Sequence, residues 1–137
     1  MLKQYFTPQF LKFLLVGVTA AFLHWLARIG LSFWFPFYLS VAFAYMVGIM
    51  VAFILNTAWV FPESDRPRQS QLKEFIFVNL AFFPIVWILA IGLKAFLERI
   101  GTIPYTEAIA HGIAVAFPAL ATFLIYKFST FRSVNQN

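Results

Sequence analysis

The chain has 137 residues, of which 62% are hydrophobic, 20% aromatic and only 11% charged, with a formal charge of +5 and no cysteine. Soluble domains carry roughly 25% charged residues, so this chain cannot clothe a water-exposed globule, and its wealth of aromatics equally excludes intrinsic disorder. Disulfides, thiolate metal sites and thiol nucleophiles are excluded outright, and five acids with two histidines leave little material for a metal centre or a carboxylate pair, so no metal, cofactor or catalytic residue is expected.

What remains is an all-α, polytopic membrane protein. Asp, Glu, Lys and Arg are absent from four windows, 13–27, 29–62, 75–93 and 108–126. A hydrocarbon core takes roughly 20 apolar residues in one helical pass. The first predicted helix runs over about 9–34. The second window would make a helix of about 51 Å at 1.5 Å per residue, too long for one pass. Pro36 supplies the break, because proline lacks a donor and disfavours helix in the residue before it. Helix 2 is therefore predicted over 37–61. A polar loop, 62–71, precedes helix 3 at 72–97, and Gly101 and Pro104 mark the turn into helix 4 at 104–128. Lipid tolerates only helices or closed barrels, and long apolar runs without alternation are helical. The expectation is one membrane domain, 1–137, with four transmembrane helices.

Orientation follows from the excess of Lys and Arg in cytoplasmic segments. With the N-terminus inside, Lys3, Lys12, Arg66, Arg68, Lys73, Lys127 and Arg132 lie inside, and only Arg28, Lys94 and Arg99 lie outside. Both termini and the 62–71 loop are thus predicted to be cytoplasmic. The dispersed basic residues favour anionic lipid headgroups over nucleic acid, which is not an expected partner.

The chain also repeats itself. Leu11-Lys12-Phe13-Leu14-Leu15-Val16 opens helix 1 as Lys73-Glu74-Phe75-Ile76-Phe77-Val78 opens helix 3. Asn56-Thr57-Ala58-Trp59-Val60-Phe61 closes helix 2 as Tyr126-Lys127-Phe128-Ser129-Thr130-Phe131 closes helix 4. Two passes restore the starting side, so the halves are read as parallel-repeat helical hairpins, N-in and C-in.

Polar groups at membrane depth are costly and so become candidates for function. Helix 2 aligns Ala44, Gly48, Ala52 and Asn56 at four-residue spacing; helix 1 aligns Gly17, Ala21, His24 and Arg28. Small residues let helices approach closely, so both stripes should face protein. The polar residues fall in two layers. Lys12, Asn56, Asn79 and Lys127 form an inner layer; His24, Arg28, Lys94, Glu107 and His111 form an outer one. Each has a plainer structural reading. The lysines snorkel, the asparagines hydrogen-bond between helices, His24 with Arg28 anchors an interface, and Glu107 and His111 pair along their helix or with Arg28. Trp25, Trp34, Tyr38, Trp59, Tyr105 and Tyr126 read as interfacial aromatic belts. Two cationic layers in one small bundle nevertheless suit an amphiphile with an anionic head, whose phosphate Lys or Arg would meet beside an amide donor.

The order Phe10-Leu11-Lys12-Phe13-Leu14-Leu15-Val16-Gly17, then Asn56-x-x-Trp59-Val60-Phe61 and Lys127-Phe128-x-x-Phe131, resembles the GtrA-like membrane proteins. The likeness spans residues 8 to 132. Thr57 stands where that family often has a basic residue, and Ser129 where it usually keeps a tryptophan. The resemblance implies translocation, or flipping, of a polyprenyl-phosphate-linked sugar across the cytoplasmic membrane for cell-surface polysaccharide synthesis, with a membrane glycosyltransferase as partner. On that reading Lys12, Asn56 and Lys127 receive the lipid phosphate inside, and Arg28 with His24 or His111 receives it outside. Asn79, Lys94 and Glu107 are secondary candidates. No enzyme activity is expected, and a homodimer in membrane lipid is the expected assembly. Two alternatives remain open. One is a non-transporting subunit of a glycosyltransferase. The other is a small proton-coupled exporter, similar in size to the small multidrug resistance proteins, for which Glu107 is the sole membrane carboxylate.

Overall fold

A computed structural model describes residues 2–133, apart from the side chains at positions 37, 38, 87, 107, 108, 111, 112 and 115. Secondary structure among the described residues is helical throughout. The long elements are α1 (Pro8–Leu31), α2 (Phe37–Leu55), α3 (Arg68–Ile100) and α4 (Thr106–Ile125). A 3-10 turn, Leu2–Phe6, precedes α1, and a single π-helical turn follows both α2 (Asn56–Val60) and α4 (Tyr126–Thr130). The spans Pro8–Leu31, Leu39–Val60 and Arg68–Ile100 are each long and apolar enough to cross a bilayer.

Local chemistry sets the boundaries. Thr7 caps α1 by accepting from Phe10 N, and Pro8 occupies the first turn, where its missing donor costs nothing. The helix ends at Leu31, short of the expected 34. Ser32 Oγ donates to Arg28 O at 2.8 Å, and Phe33 and Trp34 tighten to i→i−3 bonds on Gly30 and Leu31. Pro36 then caps α2. Helix α3 starts at Arg68, four residues before the expected 72, and runs to Ile100. Pro67 is its N-cap, Gln71 N donates to Pro67 O, and Arg68 reaches the Gln71 side chain, so the predicted 62–71 loop is shortened from its far end. Helix α4 begins at Thr106 rather than 104, because Tyr105 adopts left-handed backbone (φ 61°, ψ 34°) that a helix cannot contain. Pro84 and Pro118 lie inside α3 and α4 without ending them.

The chain divides into two compact units. The first holds α1, α2 and the segment from Phe131; the second is Pro67–Thr130. Each is a helical hairpin: α1 packs on α2 and the π turn after it, and α3 packs on α4 and the π turn after that. The duplication read from the sequence recurs in the burial. Ser40, Ala44, Phe53, Asn56 and Val60 are buried in the first hairpin, and Ala110, Ala114, Phe123, Tyr126 and Thr130 in the second. Every pair is separated by the same shift along the chain.

In the first hairpin the small-residue stripe of α2 does face α1. Ala44 is fully buried, and a Cβ placed on Gly48 would sit 3.1 Å from His24 Cβ and 3.6 Å from Ala20 O. The partner line on α1 is not the predicted Gly17–Ala21 line, because a Cβ on Gly17 would meet nothing within 4 Å. Val16 and Ala20 are buried instead, one residue earlier, and His24 is common to both lines. One residue is about 100° of helix rotation, so this contact turns Gly17 to the outside.

This contact predicts the response to added bulk. Gly48→Val should destabilise the hairpin by about 1–3 kcal/mol through overpacking against His24. Gly17→Ala should leave thermal unfolding in detergent unchanged or raise it. Equal effects of the two substitutions would contradict the packing.

Candidate functional site

The end of α2 departs from α-helical hydrogen bonding. Phe61 N donates to Asn56 O at 2.8 Å, an i→i+5 bond. Single π turns are rare and concentrate at functional sites. Asn56, which opens this one, is only 2% exposed. Its Nδ2 donates to Ala52 O at 2.7 Å, while its Oδ1 has no hydrogen-bond partner among the described residues. The Ala52 carbonyl dictates the amide's orientation, since a flipped amide would set two oxygens against each other. An unsatisfied buried acceptor costs about 1–3 kcal/mol, so something must hold it in place. Helix α1 supplies part of that: Gln9 Nε2 donates to Val60 O at 3.0 Å, satisfying a carbonyl that the helix end leaves unpaired.

Beside the turn lies a pocket of about 220 Å³, lined by Gln9, Lys12, Trp59, Val60, Pro62, Glu63, Ser64, Phe131 and Ser133. Lys12 comes from the second turn of α1 and Trp59 from the π turn. The Lys12 ammonium stands 5.6 Å from the centre of the Trp59 ring, within range of cation–π attraction. Pro62 ends the helix and turns Glu63 and Ser64 back over the pocket. The far wall is the segment after α4. Phe131 stacks on Phe61 at 5.0 Å and 12°, Ser64 Oγ donates to Arg132 O at 3.1 Å, and Ser133 Oγ to Asp65 Oδ2 at 3.4 Å.

Other predicted residues fall elsewhere. His24 sits against Gly48 at the crossing of α1 and α2, with the Tyr45 ring edge-on at 6.2 Å. Arg28, half-buried, lies in the last turn of α1, where a cation complements the helix dipole. Lys12 and Arg28 therefore mark opposite ends of one helix, about 24 Å apart at 1.5 Å per residue.

In the second unit, Asn79 Nδ2 donates to Phe75 O and to Tyr126 Oη, both at 2.8 Å, and the Phe75 and Tyr126 rings stack at 4.8 Å. Lys127 lies 5.8 Å from the Phe123 ring, and Ser129 donates to Glu74. Lys94 pairs with Glu98 at 3.7 Å, one turn along α3. The side chains of Glu107 and His111 lie outside the described residues. Among the described residues no group of His, Asp and Glu is placed to hold a metal ion.

One aromatic assignment changes, and another gains a second role. Tyr126 is not an interfacial belt residue: it is 3% exposed and hydrogen-bonded inside its hairpin. Trp59 is a pocket wall. Gln9, Glu63, Ser64 and Ser133 had no place in the sequence reading, although Pro62 directly after a helix-closing Trp-Val-Phe does signal a chain folded back on that helix end.

The sequence model of the family described as GtrA/DPMS, transmembrane domain, matches residues 12–133. No curated protein and no solved structure matches the chain.

The Asn79–Tyr126 bond is open to a direct check. A double-mutant cycle of Asn79→Leu and Tyr126→Phe, read by unfolding in detergent, should give a coupling of about 0.5–1.5 kcal/mol, the range for interhelical bonds in membranes. A coupling of zero would mean that the bond contributes nothing to holding the hairpin.

Proposed function

Because the chain belongs to the GtrA/DPMS transmembrane-domain family, we propose that it moves a polyprenyl-phosphate-linked sugar across the cytoplasmic membrane. Membership ties it to membrane processes that handle such lipids; flipping is the step that this reading adds. In it α4 makes a fourth pass, both termini are cytoplasmic, and the two hairpins are parallel repeats. A membrane glycosyltransferase makes the lipid-linked sugar inside, and the chain, as a homodimer, delivers it outside without making or breaking a bond.

The observation that carries the proposal is the placement of Lys12 on a pocket at one end of α1, with Arg28 at the other end of the same helix. The headgroup is a phosphodiester with one fixed negative charge. Lys12 meets it at the cytoplasmic end by a charge-assisted contact, and Arg28 meets it at the outer end. The separation of about 24 Å approaches the roughly 30 Å of the hydrocarbon core, so the two cations serve opposite faces. The prenyl tail remains in lipid, where the exposed apolar side chains of α1 and α3 lie. Asn56 enters in a different role from Lys12. Its free atom is an acceptor, which repels a phosphate oxygen and attracts a hydroxyl. Lys127, with Asn79 beside Tyr126, is the corresponding polar cluster of the second hairpin.

Transport of a polyprenyl-phosphoryl sugar in proteoliposomes tests this. Lys12→Gln and Arg28→Gln should each slow flipping by about 10–100-fold, the loss expected for one hydrogen bond to a charged group. Unchanged transport in both variants would remove the site, and no transport by the unaltered protein would remove the function.

A further inference from the structure

The pocket beside the π turn carries two opposite charges, and they are not spent on each other. Among the described residues neither Lys12 nor Glu63 forms an ion pair, although both line the same 220 Å³. The other polar walls are committed. Gln9 Nε2 holds Val60 O, Ser64 holds Arg132 O, and Ser133 holds Asp65. These bonds build the pocket and leave its chemistry to Lys12, Glu63 and the Trp59 ring, which is 44% exposed. A site with an ammonium, a separate carboxylate and an indole asks for a ligand with three matching parts. It needs an anion for Lys12, hydrogen-bond donors for Glu63, which only accepts when ionised, and an apolar face for Trp59. A lipid phosphate alone offers the anion and an apolar chain, but no ring of hydroxyl donors for Glu63. A pyranose joined to that phosphate offers all three, since its hydroxyls donate around the rim while its C–H groups form a flat apolar face. The volume lies below the roughly 300–1,000 Å³ of sites for drug-sized molecules, which suits one ring rather than an oligosaccharide.

We propose that this pocket reads the sugar as well as the phosphate: Lys12 takes the phosphate, Trp59 the face of a single pyranose, and Glu63 its hydroxyls, so that neutral or amino sugars are admitted and acidic sugars are rejected. The proposal rests on the translocation reading above and adds selection by charge. Glu63 is the discriminating residue. A uronic acid in place of a neutral hexose would bring a second carboxylate against it, and like-charge juxtaposition disfavours binding. Trp59 fixes the ring's position without regard to its charge.

The test uses the full chain in proteoliposomes, with three probes: polyprenyl phosphate, polyprenyl-phosphoryl glucose and polyprenyl-phosphoryl glucuronate. Binding and flipping are measured for each. The expected order places the glucose lipid at least about tenfold ahead of the glucuronate lipid. Glu63→Gln should shrink that ratio to within about twofold by improving the glucuronate lipid. Glu63 is exposed, so this change does not threaten folding. Trp59→Ala should shrink the preference for the glucose lipid over bare polyprenyl phosphate, and Trp59→Phe should restore most of it. Glucose and glucuronate lipids handled equally by the unaltered protein, or a ratio indifferent to Glu63→Gln, would overturn the sugar-reading pocket and leave translocation standing. Failure to bind or move any of the three would overturn both.

Discussion

The π turn that closes α2 is the fixed point of the first hairpin. A backbone in lipid must satisfy its own hydrogen bonds, and a helix end is where that obligation is hardest to meet. Here Phe61 N answers Asn56 O across five residues, and Gln9 of α1 answers Val60 O. The first bond closes the turn, and the second joins the end of α2 to the start of α1. They also decide which side chains look outward. Val60 and Phe61 are buried, while Trp59 is left at the edge beside Lys12. The pocket is therefore a consequence of how the helix ends, with α1 supplying the cation and the folded-back chain after Pro62 supplying the carboxylate.

The two hairpins solve one problem with different residues. At the start of each π turn stands a buried polar residue, Asn56 in the first and Tyr126 in the second. In the second hairpin α3 provides Asn79, whose amide meets the Tyr126 hydroxyl, and the stacked Phe75 ring covers it. The repeat of opening segments places Gly17 where α3 has Asn79. Glycine has nothing to offer Asn56, whose oxygen stays unanswered among the described residues. The Asn79–Tyr126 bond of the second hairpin thus has no counterpart at Asn56 in the first. The first hairpin, which holds the Asn56 oxygen, also carries the pocket lined by Lys12, Trp59 and Glu63.

Much of the fold was legible because small residues at four-residue spacing in an apolar helix have few uses other than close packing. Ala44 and Gly48 face α1 as that spacing implied. The complementary line on α1 was read one residue late, since Gly17 and Ala21 are as small as Ala20 and the helix is apolar around most of its circumference. The shape of the Gly48 approach, rather than polarity, chooses between them. The π turns left no trace in the apolar pattern, because an i→i+5 bond changes geometry without changing which residue types are tolerated. Tyr126 was equally ambiguous: a ring with a hydroxyl suits a membrane interface and a buried hydrogen bond alike. Of the candidate site, Lys12 and Asn56 were visible as polar residues in apolar surroundings. Glu63, Ser64 and Ser133 were not, since they lie in polar segments where such residues attract no notice, and Ser64 meets Arg132 from 68 residues away.

The scarcity of charge gives those loop residues their weight. In a soluble protein an exposed glutamate near a lysine is one among many and is screened by its neighbours. This chain has five acids in all, and the side chain of one, Glu107, lies outside the described residues. Glu74 is taken up by Ser129, Glu98 by Lys94, and Asp65 receives the Ser133 hydroxyl. Glu63 lines the pocket with Lys12 and forms no ion pair among the described residues. A lysine beside an unpaired carboxylate attracts a lipid phosphate less than a lone lysine would, so a site built only to hold phosphate gains nothing from Glu63. Its presence makes physical sense when the ligand carries donors as well as an anion, as a phosphate joined to a sugar does.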